Sequence, residues 1–435
     1  MAGPASAAVR PLRYLGLGAL VMVGLNSVIG GGIFILPARV AGLVGPASLA
    51  AYVVAGLLVL GIGKTLGRLA ARCDRSGGPY AYVEQAFGPL AGFQAGWLFW
   101  LARFTAMANL MNGVGLYLGA LLPALGRPWP RAGVILVCAA GITALNIAGI
   151  RQTSNASSLL AVLKLTPLLV IGLAGMALVD PARLAWATAP PPLAFIRSVL
   201  LLLFAFTGFE ILTVPAEETL RPRSDMPRAL TITVVVVCGV YLLVHTAALG
   251  ALPHLGAEDA PLAALAAEVF GAGGRLGMTG VAALSMFGCA LSALFALTRV
   301  LYAMAEAGRI PRVLGRLHAL RRTPALASLL NGGLAAALAI GGGYAFLAAV
   351  SSASRLLIFL ACCFACVGHG RTAAAGPDDG TASGGGRLVP YLTAGGIFAT
   401  LFGLDLKEAV FGMIAIGAGW LLYLLAGRER LVASR

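Results

Sequence analysis

The chain has 435 residues, of which 59% are hydrophobic and only 11% charged, with 31 Lys and Arg against 16 Asp and Glu for a net charge of +15. A soluble domain carries roughly 25% charged residues and its core stops growing at about 250–300 residues, so a water-soluble globule is excluded. Disorder, which needs low hydrophobicity and high charge, is excluded as well.

What remains is an all-α membrane protein whose solvent is the lipid bilayer. The basic excess fits cytoplasmic loops better than nucleic acid. Apolar stretches bounded by Gly, Pro or Arg clusters predict twelve transmembrane helices, at 14–36, 45–68, 88–122, 130–149, 156–179, 194–216, 229–252, 277–306, 324–341, 343–368, 388–404 and 409–426. Residues 1–13 read as a cytoplasmic N-terminus, with Arg10 and Arg13 ahead of the first span; no small-residue cleavage site follows at the distance a signal peptide requires. The third and eighth spans exceed a straight crossing and should tilt or protrude. Residues 369–387, rich in Gly, Ala and Asp, read as a flexible cytoplasmic loop, and 427–435 as a cytoplasmic C-terminus. With both termini inside, most Lys and Arg fall on the cytoplasmic side. Only Arg39, Arg127, Arg131, Arg183, Arg275 and Lys407 lie outside, and Arg103, Lys164, Arg197 and Arg355 lie within or at the edge of spans. That asymmetry sets the orientation in a plasma (cell inner) membrane.

Two spans contain breaks. The first reads Asn26-Ser27-Val28-Ile29-Gly30-Gly31-Gly32-Ile33-Phe34, and each mid-helix glycine weakens a helix by about 1 kcal/mol relative to Ala. The sixth reads Phe204-Ala205-Phe206-Thr207-Gly208-Phe209-Glu210, with a carboxylate at a depth where charge is costly. Such glycines could also serve close helix packing alone. Paired interruptions five spans apart, however, point to a five-plus-five inverted repeat with broken helices 1 and 6 and a binding site between them. An unwound helix offers N–H groups at one end and C=O groups at the other, which suits the carboxylate and ammonium of a free amino acid.

The chain also resembles a known family. Ile29-Gly30-Gly31-Gly32-Ile33-Phe34, Ser76-Gly77-Gly78-Pro79-Tyr80 running on to Gly96-Trp97, Phe204–Glu210 followed by Ala216-Glu217-Glu218-Thr219 and Asp225-Met226-Pro227-Arg228-Ala229, and Arg299–Ala305 with Ile310-Pro311 are similar to signatures of the amino acid–polyamine–organocation (APC) transporter superfamily. They cover roughly residues 14–330. The resemblance implies a transport core of ten helices over 14–368 plus helices 11–12 over 388–426, with alternating access. It implies that Gly31 and Gly32 donate backbone N–H groups to the substrate carboxylate while Gly30 shapes the turn. Carbonyls of Val28, Phe204, Ala205 and Thr207 would receive the ammonium, with Ile29 and Phe206 beside them. Gly31 departs from the Ser or Thr found in many relatives, which leaves more room and one donor fewer.

Lys164, in the fifth span, is a coupling candidate or a snorkelling lysine near the interface. By resemblance it would bridge spans one and eight near Ser285 or Ser292, where sodium-coupled cousins hold an ion, and make transport proton-coupled. Glu210 would serve gating or proton coupling. Arg103 needs a partner, for which Glu210 is one choice. Glu217, Glu218, Arg221, Arg223, Asp225 and Arg228 would form a charged cluster at the cytoplasmic gate. Met107, Asn109, Asn112, Phe206, Phe209 and Phe287 are candidate side-chain contacts. With no dedicated carboxylate besides Glu210, neutral amino acids are the expected cargo, and a cationic amino acid or polyamine exchanger is the alternative. The chain shows no metal-ligand spacing, no cofactor motif, no Walker A sequence and no G-x-S-x-G or H-E-x-x-H, so a transporter and not an enzyme is expected.

Overall fold

A computed structural model describes residues 10–186, 188–341, 344–372, 385–404 and 406–433. Among these the chain forms α-helices and short 3-10 turns with no strand; the one extended pairing is an isolated bridge between Leu15 and Thr219. In chain order the helices are α1 (Leu17–Val28), α2 (Gly31–Val44), α3 (Ser48–Arg72), α4 (Pro79–Phe87), α5 (Pro89–Leu121), α6 (Pro128–Ala148), α7 (Ile150–Gly175), α8 (Pro192–Phe206), α9 (Pro222–Ala251), α10 (Pro261–Glu306), α11 (Ala325–Gly341), α12 (Tyr344–Thr372), α13 (Gly385–Leu401) and α14 (Leu406–Ala433). Six helical stretches among the described residues are long and apolar enough to cross a membrane, and five further apolar helices are shorter. Two of the short ones, α1 and α8, are short because they are interrupted.

Proline punctuates the fold. α4, α5, α6, α8, α9 and α10 all begin at a proline, where the missing N–H costs nothing and φ is already helical. This accounts for the main boundary differences. The seventh span starts at Pro222 rather than 229. The eighth starts at Pro261 and bends at Gly271, whose φ of 67° breaks the helix, instead of starting at 277. Pro37 does not end the first span. α2 continues to Val44 and stops at Gly45, with φ 55°, the left-handed stop that glycine supplies without strain. α4 occupies what the sequence presents as a loop. Residues 369–372 and 385–387, expected in a loop, are helical, and α14 runs on through most of 427–435. The centre of that loop (373–384), residues 1–9 of the expected N-terminal segment and the last two residues lie outside the described residues.

The interior is built where α10 packs on α5 and α7 and α1 packs on α9 and α10, with α12 against α5, α3 against α9, and α8 against α2 and α3. Outward faces carry Leu57, Val137, Leu173 and Leu421, each more than half exposed. A surface so apolar is suited to acyl chains and not to water.

Candidate functional site

The first interruption follows from its glycines. α1 closes with Ile29 N–H donating to Leu25 O (3.0 Å); Ile29 then turns to ψ 90° and Gly30 is extended at φ −131°, ψ −154°. α2 restarts at Gly31, and its first amides have no carbonyl one turn back and no capping side chain. The loose carbonyls of α1 are taken by side chains from other helices. Lys164 Nζ, on α7, donates to Asn26 O (2.6 Å), Ile29 O (2.9 Å) and Ser285 O (3.2 Å). Ser285 Oγ donates to Ile29 O (2.7 Å), and Cys289 Sγ lies 3.1–3.2 Å from Asn26 O, Ser27 O and Ile29 O. Lys164 is fully buried, so it does not snorkel to the interface. Ser292 is engaged instead by Asn26 Nδ2 (2.9 Å). Gly288 leaves the space for the ammonium, since a Cβ there would sit 2.9 Å from Lys164 Nζ.

The second interruption begins at Thr207 (ψ 148°) and passes through Gly208 at φ 131°, followed by a 3-10 turn over Phe209–Thr213. Thr207 Oγ1 donates to Phe204 O (2.7 Å), and Gly208 N–H donates to Glu210 Oε2 (2.8 Å). Glu210 also forms an ion pair with Arg103 of α5, both side chains being buried. Arg355 of α12 donates to Thr207 Oγ1 and lies with its guanidinium carbon 5.4 Å from the Phe204 ring centroid.

The two interruptions touch. A Cβ on Gly208 would lie 2.5 Å from Ser27 O, and one on Gly32 would lie 2.8 Å from Ala205 Cα. Only glycine permits backbone to approach backbone this closely. Tyr241 of α9 ties the pair together, its hydroxyl 3.2 Å from both Val28 O and Ala205 O. The single proton of this hydroxyl therefore already serves one of two carbonyls expected to receive an ammonium.

A cavity of about 550 Å³ opens onto this junction. Of the expected site residues, Val28, Gly30, Gly31, Gly32, Phe204, Ala205 and Thr207 line it. Ile29 and Phe206 do not: Ile29 is in the core and Phe206 packs against Tyr52 and Tyr241. Among the expected side-chain contacts only Asn109 reaches the cavity; Asn112 donates to Ala339 O (3.0 Å) and Phe209 stacks on Phe359. Sequence reasoning missed Tyr241, Cys289, Met286 and Arg355, all brought in by helices distant in the chain. Arg355 had been visible only as a charge inside a span.

The cavity runs toward Arg39, Arg197 and Lys407. At the opposite end the chain is sealed. Tyr14 and Leu15 N–H donate to Glu218 O (2.8 and 3.0 Å), Gly77 N–H to Val214 O (3.0 Å), and Ser76 exchanges hydrogen bonds with Glu217 (3.2 Å each). Arg299 grips Glu218 with two bonds of 3.0 Å and stacks on Phe295. The expected cluster is thus divided: Asp225 keeps a partner within it, Arg221 (3.4 Å), whereas Glu218 pairs with Arg299, Glu217 with Ser76, and Arg223 with Asp74 (2.6 Å), all on other elements.

A family model for amino acid permeases matches residues 15–425. The chain is 29% identical to an uncharacterized transporter of Mycobacterium tuberculosis, over 97% of this chain and 92% of the relative. It is 27% identical to the branched-chain amino acid permease of Bacillus subtilis (75% and 74% covered) and 28% identical to a serine/threonine exchanger of the same organism (72% and 74% covered). Both named relatives are transporters, and the apolar helices of this chain are those of a multi-pass membrane protein. The chain therefore belongs to the amino acid permease family of the amino acid–polyamine–organocation superfamily and is a transporter, not an enzyme.

Proposed function

We propose that this protein is a secondary active transporter that carries amino acids across the plasma membrane by alternating access. It would do so with twelve spans in a five-plus-five inverted repeat, both termini cytoplasmic and proton coupling. The observation that carries the reading is the contact of two interrupted helices at the floor of a cavity. There Gly31 and Gly32, the first residues of α2, line the cavity with no side chain capping the helix, and a helix N-terminus is an anion site. The carboxylate binds there. The ammonium takes the carbonyls of Phe204 and Thr207 and the second lone pairs of Val28 O and Ala205 O. The sealed face around Glu218 and Arg299 is the closed cytoplasmic gate, and the cavity toward Arg39 and Lys407 is the external path.

Lys164 supplies the coupling. Its ammonium clamps α1 to α10 through Asn26 O, Ile29 O and Ser285 O, with Cys289 the titratable group facing it. Loss of the proton weakens the clamp and favours the state in which the first helix has moved, so a proton gradient biases two conformers. The exchanger for cationic cargo has less support, since Glu210 is held by Arg103 and by the Gly208 amide. The test is uptake of labelled amino acids by proteoliposomes. An inward proton gradient should accelerate it, and replacing sodium with choline should leave it unchanged. A strict sodium requirement would overturn the lysine-coupled mechanism.

A further inference from the structure

Three basic side chains surround the two interruptions, Lys164, Arg103 and Arg355, against one carboxylate, Glu210. Arg103 pairs with Glu210, and Lys164 is spent on carbonyls behind the cavity wall. Arg355 is different. It is 5% exposed, lines the cavity, and among the described residues has no carboxylate partner. One nitrogen of its fork donates to Thr207 Oγ1, and its buried Nε has no hydrogen-bond partner. A buried charge without a counter-charge is destabilising unless a ligand completes it. The end of the α8 dipole supplies only part of that compensation. A guanidinium with donors to spare matches a carboxylate through two parallel bonds. The cavity mouth adds Arg39, Arg197 and Lys407 against one acid, Glu408, a net positive field that attracts anions.

We propose that Arg355 receives a second anionic group on the substrate, so that the preferred cargo is an acidic amino acid and not the neutral one the sequence suggests. This rests on the zwitterion site of the preceding section. The α-carboxylate sits on the amides of Gly31 and Gly32, and the side-chain carboxylate meets the guanidinium at the break in α8. Phe204 packs over that guanidinium and keeps water from the pair.

The test compares glutamate and aspartate with their isosteric amides, using the full chain in proteoliposomes for uptake and in detergent for ligand-induced thermal shift. The acids should bind at least about tenfold more tightly than glutamine and asparagine, the worth of one charge-assisted hydrogen bond. Arg355→Gln should weaken acid binding about 10- to 100-fold with little change for the amides, and Arg355→Lys should recover part of the loss. Glutarate, which keeps two carboxylates but lacks the ammonium, should fail to compete. A wild-type preference for amides or other neutral amino acids overturns the acidic cargo while leaving the zwitterion site standing. Competition by glutarate equal to glutamate overturns the zwitterion site instead. An unchanged acid-to-amide ratio in Arg355→Gln or Arg355→Lys overturns the role of Arg355. If Arg355→Gln does not fold, the wild-type ratio and the lysine variant decide.

Discussion

At the first interruption Lys164 meets two carbonyls of the broken stretch, and Ser285, Cys289 and Tyr241 cover the same stretch. At the second, Arg355 meets one hydroxyl and a ring, with its Nε unmatched and open space beside it. Both breaks arise the same way, from glycine at a place where a helix would otherwise continue, and both present the loose end to a basic side chain on a later helix. They differ in how far the protein satisfies its own loose ends. The carbonyl side of the first break, already held by the protein's own side chains, cannot take a ligand without giving something up, so it suits a latch, while its Gly31–Gly32 side stays open to the cavity. A partly satisfied break gains by taking one, so it suits a receptor. On the proposed inverted repeat, Lys164 in the fifth span and Arg355 in the tenth are counterparts, each reaching the broken helix that opens its own half.

The largest expected effect removes the contact on which this comparison stands. Gly208→Ala places a Cβ 2.5 Å from Ser27 O on a residue already at φ 131°, where backbone on one side and a forbidden dihedral on the other leave no relief. Strain of about 1–3 kcal/mol at the residue alone, plus the forced separation of the two breaks, should lower amino acid binding at least about 100-fold or prevent folding. Gly31→Ala is the contrast. Its Cβ meets only the Met286 Cε, 2.9 Å away at the end of a flexible chain that can swing aside, so binding should change by less than about tenfold. Thermal-shift titration of both variants, with size-exclusion profiles for folding, measures the difference. Equal effects would mean that the breaks do not depend on each other.

A middle-sized effect separates latch from receptor. Lys164→Met keeps the length of the side chain and removes its three donors. Uptake should slow by about tenfold and lose its acceleration by an inward proton gradient, because the group that takes up the proton is gone. The Arg355→Gln variant should lose affinity for cargo while the pH profile of what uptake remains keeps its shape. Uptake rates between pH 5 and 9 in proteoliposomes check both. A flat profile in the arginine variant, or an unaltered one in the lysine variant, would merge the two roles.

How much of this was readable beforehand follows from where the signals sit. Both breaks were legible because their cause is local: Gly30–Gly32 and Gly208 announce themselves whatever surrounds them. Helix starts were legible at Pro89, Pro128 and Pro192, and missed at Pro222 and Pro261, where polar residues or a glycine bend precede the longest apolar run; Pro37 looked like a stop, but a proline's effect depends on whether neighbouring helices can satisfy the carbonyl it frees. Lys164 and Glu210 stood out as charges at membrane depth. The partners did not, because nothing local marks Tyr241, Cys289 or Asn26; a tyrosine in a long apolar helix looks like any core residue until a carbonyl from another helix arrives at its hydroxyl. Arg355 was visible as a charge, but what it faces is decided by α8, about 150 residues earlier, and by the cavity between them.

The smallest effect concerns the link between the two regions. Tyr241 Oη has one proton and lies 3.2 Å from carbonyls of both breaks, so it bonds one and lies near the other. Tyr241→Phe keeps the ring against Phe206 and removes only the hydroxyl, taking one hydrogen bond from the pair of buried carbonyls. The loss in stability should be about 1 kcal/mol, as for one neutral hydrogen bond, seen as a small drop in the thermal midpoint. Its effect on ligand binding should run the other way. If Val28 O and Ala205 O belong to the ammonium site, freeing them from the tyrosine hands both lone pairs to the cargo, and affinity should rise by a few-fold. Unchanged affinity would confine the ammonium to Phe204 O and Thr207 O. A lowered affinity would make the hydroxyl itself part of the site, and the first break would then be less self-sufficient than its contacts suggest.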